Sequence, residues 1–242
     1  MKNKIFTLLY YTYFISIGLV FVSISFSIWL FTFWWDKKRS LVHHLTTLWS
    51  NLLLLINPFW KITIEGKEKI DKSKIYVIIS NHQSEFDIPL ASFLHIHFKW
   101  VSKAEVFKVP IIGWNMWLNN YIKLVRGNKR SVVKMVKDCG ETIDNGSSVY
   151  IFPEGTRSET GKLRRFMPGA FVIAKRNKVG ILPLVINGTK EIMPKGSLKL
   201  NYKANISLKI LDEIPYNEIK NCEPDEISIK IKTLIEKQVK IN

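Results

Sequence analysis

Cysteine is scarce: Cys139 and Cys222 are the only two in 242 residues, and neither stands in a metal-ligand spacing. That excludes a disulfide scaffold and a cysteine-built zinc site, and it fits a reducing compartment. Acidic side chains are also few, 20 against 36 Lys and Arg, which leaves a formal net charge of +16. Such an excess favours anionic partners: nucleic acid, acidic lipid, a phosphorylated substrate or an acidic carrier protein. No nucleic-acid-binding signature accompanies the charge, so no nucleic acid is expected as partner. Repeats and low-complexity linkers are missing, and a hydrophobic fraction of 47% rules out disorder, so one core with an appendage is expected. Cys139 shares a helical face with Val132, Met135, Val136 and Ile143 and reads as core.

Charge is absent altogether from Ile5 to Trp35, a run flanked by Lys2 and Lys4 before and by Asp36, Lys37, Lys38 and Arg39 after. This segment belongs in lipid. It is far longer than the ~7 to 15 apolar residues of a signal peptide, so the anchor is expected to stay attached. As one straight helix it would reach about 46 Å, more than the ~30 Å hydrocarbon layer, so it tilts, bends near Gly18 or ends in the interface. The basic cluster after it places the following domain on the cytoplasmic face of the membrane.

Leu41, Leu45, Leu48, Trp49, Leu52, Leu53 and Ile56 recur at spacings of three and four, an amphipathic helix that ends at Asn57-Pro58. Its apolar side can pack on the protein or lie at the headgroup boundary, and beside an anchor the second placement is favoured. His43 and His44 fall on the polar side. A boundary near residue 60 then divides membrane-anchoring helices (1–60) from the remaining domain (61–242). Beyond it KITIEG, KIYVIIS, FKWVS, YIKLV, SVYIF, ILPLVI and NISLKIL read as strands, and segments near 87–97, 130–144, 168–178 and 223–240 as helices. The alternation predicts an α/β fold, a central mixed sheet flanked by helices, with IYVII, VYIF and ILPLVI buried on both faces.

Between two of these apolar runs sits NHQSEFD, residues 81–87, which leaves a strand at Ser80 and enters a helix. In the plain structural reading Ser84 is the N-cap, Asp87 completes a capping box, and His82 is a loop residue. In the chemical reading His82 meets Asp87. A five-residue step on a continuous helix would turn them apart by about 140°, so the loop-to-helix bend is what lets them meet. A carboxylate accepting one ring N–H fixes the imidazole tautomer and leaves the other nitrogen as a general base. No G-x-S-x-G accompanies the pair, so the hydroxyl it would deprotonate belongs to a substrate.

A second polar turn, FPEGTRS at 152–158, closes the strand SVYIF and carries Glu154 and Arg157 to its end, where ligands of α/β sheets gather. The fork of Arg157 suits a phosphate, and a surface turn with an ion pair is the alternative. GTRSETGKL is not a nucleotide-binding loop, since five residues separate Gly155 from Gly161 and Leu163 replaces the required Ser or Thr.

NHQSEFD followed by FPEGTRS resembles the glycerolipid acyltransferase family, specifically its bacterial 1-acylglycerol-3-phosphate acyltransferases, whose signature is N-H-x-x-x-x-D and then F-P-E-G-T-R-S. SKAEVFKVPIIGW, with Lys103, Glu105, Pro110 and Gly113, and then Arg126 looks like the family's second block; ILPLVI with Pro183 looks like the fourth. The resemblance covers roughly residues 60–210. It implies a glycerol-3-phosphate acyltransferase-like fold, His82 as general base, Asp87 as its orienting partner, and Lys103, Arg126 and Arg157 as holders of the acceptor's phosphate. Glu154, Gly155 and Thr156 would shape the pocket. The implied partners are membrane lipid, lysophosphatidic acid, and acyl-CoA or acyl carrier protein as co-substrate, with no metal and no cofactor. Two positions depart from the pattern. Phe166-Met167-Pro168-Gly169 stands where a lysine is frequent, leaving cationic help there to Arg164 or Arg165, and Val106 stands where leucine is common. Two other readings stay open: an acyltransferase for another hydroxylated lipid, and a non-enzymatic module that binds anionic lipid.

Overall fold

A computed structural model describes residues 2–158 and 162–240; Gly161, used above to reject the nucleotide loop, lies outside them. Nine α-helices and seven strands are found among the described residues. In chain order they are α1 (Lys2–Thr32), α2 (Ser40–Leu55), β1 (Trp60–Glu65), β2 (Tyr76–Ser80), α3 (Asp87–Ala91), β3 (Phe98–Lys103), α4 (Ile112–Leu118), β4 (Ile122–Leu124), α5 (Lys129–Asp144), β5 (Ser148–Ile151), α6 (Gly169–Arg176), β6 (Gly180–Asn187), α7 (Thr189–Ile192), β7 (Ala204–Ile210), α8 (Tyr216–Ile219) and α9 (Pro224–Glu236). All seven expected strands form. They make one sheet in the order β1-β7-β6-β2-β5-β3-β4, parallel throughout except for the antiparallel pair β6/β7.

The pleat explains the two layers of core. Tyr76 and Ile78 of β2, Tyr150 of β5 and Leu182, Leu184 and Ile186 of β6 point to one face. Val77, Ile79, Val149, Ile151, Ile181 and Val185 point to the other, against α5, α6 and α9. Cys139 is fully buried there, and burial pushes its thiol up to about 12. The helices start where local chemistry allows. Asn128 caps α5 by accepting from the Ser131 N–H at 3.0 Å, and α9 opens with Pro224 behind a Glu223/Glu226 capping box.

Helix α1 is continuous through Gly18, so that residue is not a bend. It is a close-approach site: a Cβ there would meet Ile111 Cγ2 at 2.8 Å and the Trp49 ring at 3.1 Å. The N-terminal half of α1 joins the sheet's own core, where Tyr10 lies between Trp60 and Phe86 and donates its hydroxyl to the Leu53 carbonyl at 3.0 Å. By length and composition α1 can cross a membrane, and only 17% of its most apolar window is buried.

The expectation for α2 needs correction. Its packed face is Val42, His43, Trp49, Leu53 and Leu54, turned against α1, α3 and the domain, while Leu41, Leu48, Leu55 and Ile56 stay exposed. His43 is therefore core and not a polar-face residue. Its ring meets the Ile96 carbonyl, the Tyr121 hydroxyl and the ring of His97. Beside it Lys99 of β3 is buried, donating to the Lys38 carbonyl at 2.6 Å and the Asn119 carbonyl at 2.5 Å. Burial pushes Lys99 down to about 7, against the opposing pull of Asp36.

Candidate active site

The carboxyl ends of β2 and β5 are adjacent, which brings the two polar turns together. β2 ends at Ser80, whose hydroxyl bonds the Tyr150 hydroxyl of β5 at 2.8 Å. Asn81 is fixed to β6 by two bonds, its amide donating to the Ile186 carbonyl at 2.7 Å and its carbonyl oxygen accepting the Ile186 N–H at 2.8 Å. With the chain pinned there, the next residue turns its ring over the edge. His82 Nδ1 lies 2.7 Å from Asp87 Oδ2. The Asp87 side chain is fully buried and the imidazole keeps 14% exposure.

Four donors hold the Asp87 carboxylate. Oδ2 accepts the Gln83 N–H at 2.6 Å, the Ser84 N–H at 3.1 Å and the ring N–H of His82, and Oδ1 accepts the hydroxyl of Thr189. Such convergence satisfies a charge that would otherwise be costly to bury. The expected capping box is only half formed. Asp87 does reach back to the Ser84 N–H, but α3 begins at Asp87 itself, and Ser84 Oγ donates to the Met193 carbonyl at 2.8 Å. The serine's hydroxyl is spent on tying the loop to the segment after α7.

Glu154 works through the main chain. Its Oε1 accepts the His82 N–H at 2.8 Å and its Oε2 the Arg164 N–H at 2.9 Å, while the Ser158 N–H donates to the His82 carbonyl at 2.9 Å. Burial raises the Glu154 carboxyl above the usual range, and the two N–H donors work against that rise. Phe152 supports His82 from below, its ring stacked on the imidazole at 3.9 Å and 14°, with Trp100 stacked behind it at 5.5 Å. Gly155 has φ +68°, the left-handed turn that lets the chain reverse.

The structure thus brings together His82, Asp87, Glu154 and Arg157. Arg157 Nη1 pairs with Glu85 Oε1 at 3.1 Å, which joins the two turns a third time. Thr156 is half-buried beside it. Lys103 and Arg126 lie on the same edge without touching these residues. Two and three strands from β2, they sit roughly 10 and 14 Å along the sheet, and Lys103 faces Glu105 at 3.6 Å on the surface. At the departure after the third block Arg165 turns to Asp225 at 3.5 Å and Met167 is exposed. Thr189 carried no local signal, since it stands 102 positions from Asp87 and only the return of β6 beside β2 puts it there. An imidazole oriented by a carboxylate in this way has the geometry to take a proton from a ligand bound at the sheet's edge.

An acyltransferase family model matches residues 61–187. The chain is 40% identical over 182 residues to the chloroplastic 1-acyl-sn-glycerol-3-phosphate acyltransferase LPAT1 of Arabidopsis thaliana, covering 74% of this chain and 51% of that protein. It is 32% identical over 158 residues to the 1-acyl-sn-glycerol-3-phosphate acyltransferase of Helicobacter pylori, covering 64% of this chain and 66% of that protein. The chain spans about half the length of the plant relatives it matches. The crystal structure of the 1-acyl-sn-glycerophosphate acyltransferase PlsC from Thermotoga maritima superposes with a TM-score of 0.76 at 26% identity, over 98% of this chain and 95% of that one. From its sheet, its paired polar turns and these matches together, the chain belongs to the acyltransferase family.

Proposed function

We propose that the chain is a 1-acylglycerol-3-phosphate acyltransferase, moving an acyl chain from a thioester of coenzyme A or acyl carrier protein to the free hydroxyl of lysophosphatidic acid to give phosphatidic acid. The observation that carries this reading is the 2.7 Å contact of His82 Nδ1 with Asp87 Oδ2, which leaves Nε2 to take a substrate proton. The relatives' names supply the substrate class. The lipid hydroxyl oxygen attacks the thioester carbonyl carbon as its proton passes to Nε2. The tetrahedral adduct then collapses, the C–S bond breaks, and the departing sulfur takes the proton from the imidazolium. An ester forms, a thioester is consumed and the base is regenerated. The chemistry calls for no covalent enzyme intermediate, metal or cofactor.

Arg157, Lys103 and Arg126 hold the phosphate in this reading. The pair with Glu85 engages one guanidinium nitrogen of Arg157, and a fork of five donors has others to offer an anion. Glu154 acts on the loop's main chain and not on the headgroup, and Gly155 and Thr156 shape the turn. Helix α1 anchors the enzyme in the membrane, with Lys37, Lys38 and Arg39 holding the domain on the cytoplasmic side. The test uses detergent-purified protein, defined thioesters, and lysophosphatidic acid beside its dephosphorylated counterpart. His82→Ala is expected to lower turnover by about 10² to 10⁴ with folding intact. Unchanged turnover in that variant would refute the base, and equal rates on both acceptors would remove the phosphate clamp.

A further inference from the structure

Helix α4 has its polarity reversed. Asn115 is buried, accepting the Thr46 hydroxyl at 2.8 Å, and Met116 and Leu118 are buried with it. Trp114 and Trp117, one turn apart, are 51% and 55% exposed, and Val109 before them is 43% exposed. A helix facing water would show the asparagine and hide the indoles.

The helix is also locked to α1. Ile111, just before it, has φ +67°, a strained setting for a β-branched residue, and its buried side chain wedges against Gly18 and Trp49. Trp117 meets Trp29 of α1 edge-on at 5.1 Å, and the Arg39 guanidinium lies over the same Trp29 ring at 5.7 Å. Guanidinium, indole and indole in succession reproduce the order of a membrane interface, with cations at the headgroups and aromatics just below. Between α1 and α4 runs an apolar cavity of about 560 Å³, lined by Leu19, Val22, Phe26, Trp114, Trp117 and Leu118. Its size falls within the roughly 300 to 1,000 Å³ of small-molecule sites.

We propose that α4 is a membrane-contacting element of the catalytic domain and that the groove between it and α1 seats a hydrocarbon chain of a bilayer lipid. The proposal rests on the membrane placement of α1 given above. The apolar face of α1 meets the indoles of α4 at the Trp29–Trp117 contact and along the shared groove, and Lys108 and Lys123 flank the helix in sequence. The bilayer surface would then reach the same sheet edge as His82. Taking about 100 Å² of indole out of water at each tryptophan strengthens contact with lipid roughly ten- to a hundredfold.

The full chain would be placed in vesicles of phosphatidylcholine and phosphatidylglycerol carrying bromine on the acyl chains, alongside the double variant Trp114→Phe/Trp117→Phe. The emission that disappears in the variant is expected to be bromine-quenched, and quenching should not change when lysophosphatidic acid of varied chain length is added. In parallel, Trp114→Gln/Trp117→Gln is expected to lose at least tenfold in rate on acceptor presented in vesicles and none on a short-chain acceptor dissolved as monomer. Quenching of the remaining tryptophans without quenching of these two would overturn the proposal and leave the anchor standing. If no tryptophan is quenched, the anchor and the proposal fall together. Displacement of the quenching by lysophosphatidic acid would make the occupant the substrate's chain and overturn the assignment to bilayer lipid.

Discussion

Replacing Asp87 by Asn separates orientation from charge. The Gln83 and Ser84 N–H groups cannot turn, whereas the Thr189 hydroxyl can, so the asparagine will set its oxygen where Oδ2 was and its NH₂ toward Thr189. His82 Nδ1–H then keeps its acceptor and the ring keeps its place. What vanishes is the negative charge facing the imidazolium that the proposed transfer forms. With the nearer oxygen 2.7 Å from Nδ1, the charge centres are about 4 Å apart, worth about 4 kcal/mol at an effective dielectric constant of about 20. A proton half transferred at the transition state feels about half of that. Turnover is therefore expected to fall between about 30- and 1,000-fold, with KM for both substrates within about threefold. The assay is steady-state transfer from a defined thioester to lysophosphatidic acid in mixed micelles, with the unfolding midpoint measured on the same preparation. A folded Asp87→Asn enzyme within threefold of the parent kcat would refute the electrostatic argument.

Thr189→Val leaves Oδ1 of a buried carboxylate without its donor and should cost about 1 to 3 kcal/mol of stability, with a kcat loss of up to about tenfold that Thr189→Ser restores. Failure of Ser to restore kcat would exclude the hydroxyl. Gly155→Ala meets no atom within 4 Å but must hold φ +68°, so unfolding should show a loss of about 1 to 2 kcal/mol while KM for the acceptor stays put. A raised KM would instead place the pocket wall there. Lys99 gives a pH signature: its folded pKa of about 7 lies below the usual lysine value, so the unfolded chain binds the extra proton and stability rises with pH from about 7 upward. Between pH 7 and 9 the gain is about 2 kcal/mol, read by denaturant titration in detergent, and Lys99→Met should flatten that slope.

The sheet was legible because its central strands are runs of β-branched and aromatic residues with no competing helical period, as in IYVIIS and ILPLVI. Both polar turns were legible because each interrupts such a run at its carboxyl end. Helix α4 was not, since seven residues are too few to show a period and its two tryptophans look like core. His43 was misplaced for a similar reason: the packed side of α2 is chosen by three neighbours at once and not by the longest leucine stripe. Thr189 and the stack under His82 are tertiary facts. The threonine opens α7 just after β6 and the phenyl ring follows the last residue of β5, and the parallel pairing of those strands with β2 sets both beside the loop. The main-chain role of Glu154 was equally invisible, because a carboxylate in a polar turn gives no sign of whether it serves a ligand or a backbone.

Tyr10 leans on Phe86, the residue immediately before Asp87, so the first helix is a wall of the loop that carries His82 and Asp87. A shortened protein freed of that helix to gain solubility would therefore also lose packing beside His82 and Asp87. The faces of Phe86 and Trp60 that Tyr10 covers would lie open to water, one residue from the buried Asp87. If the proposed function holds, detergent is a better route to an active preparation than removal of that helix.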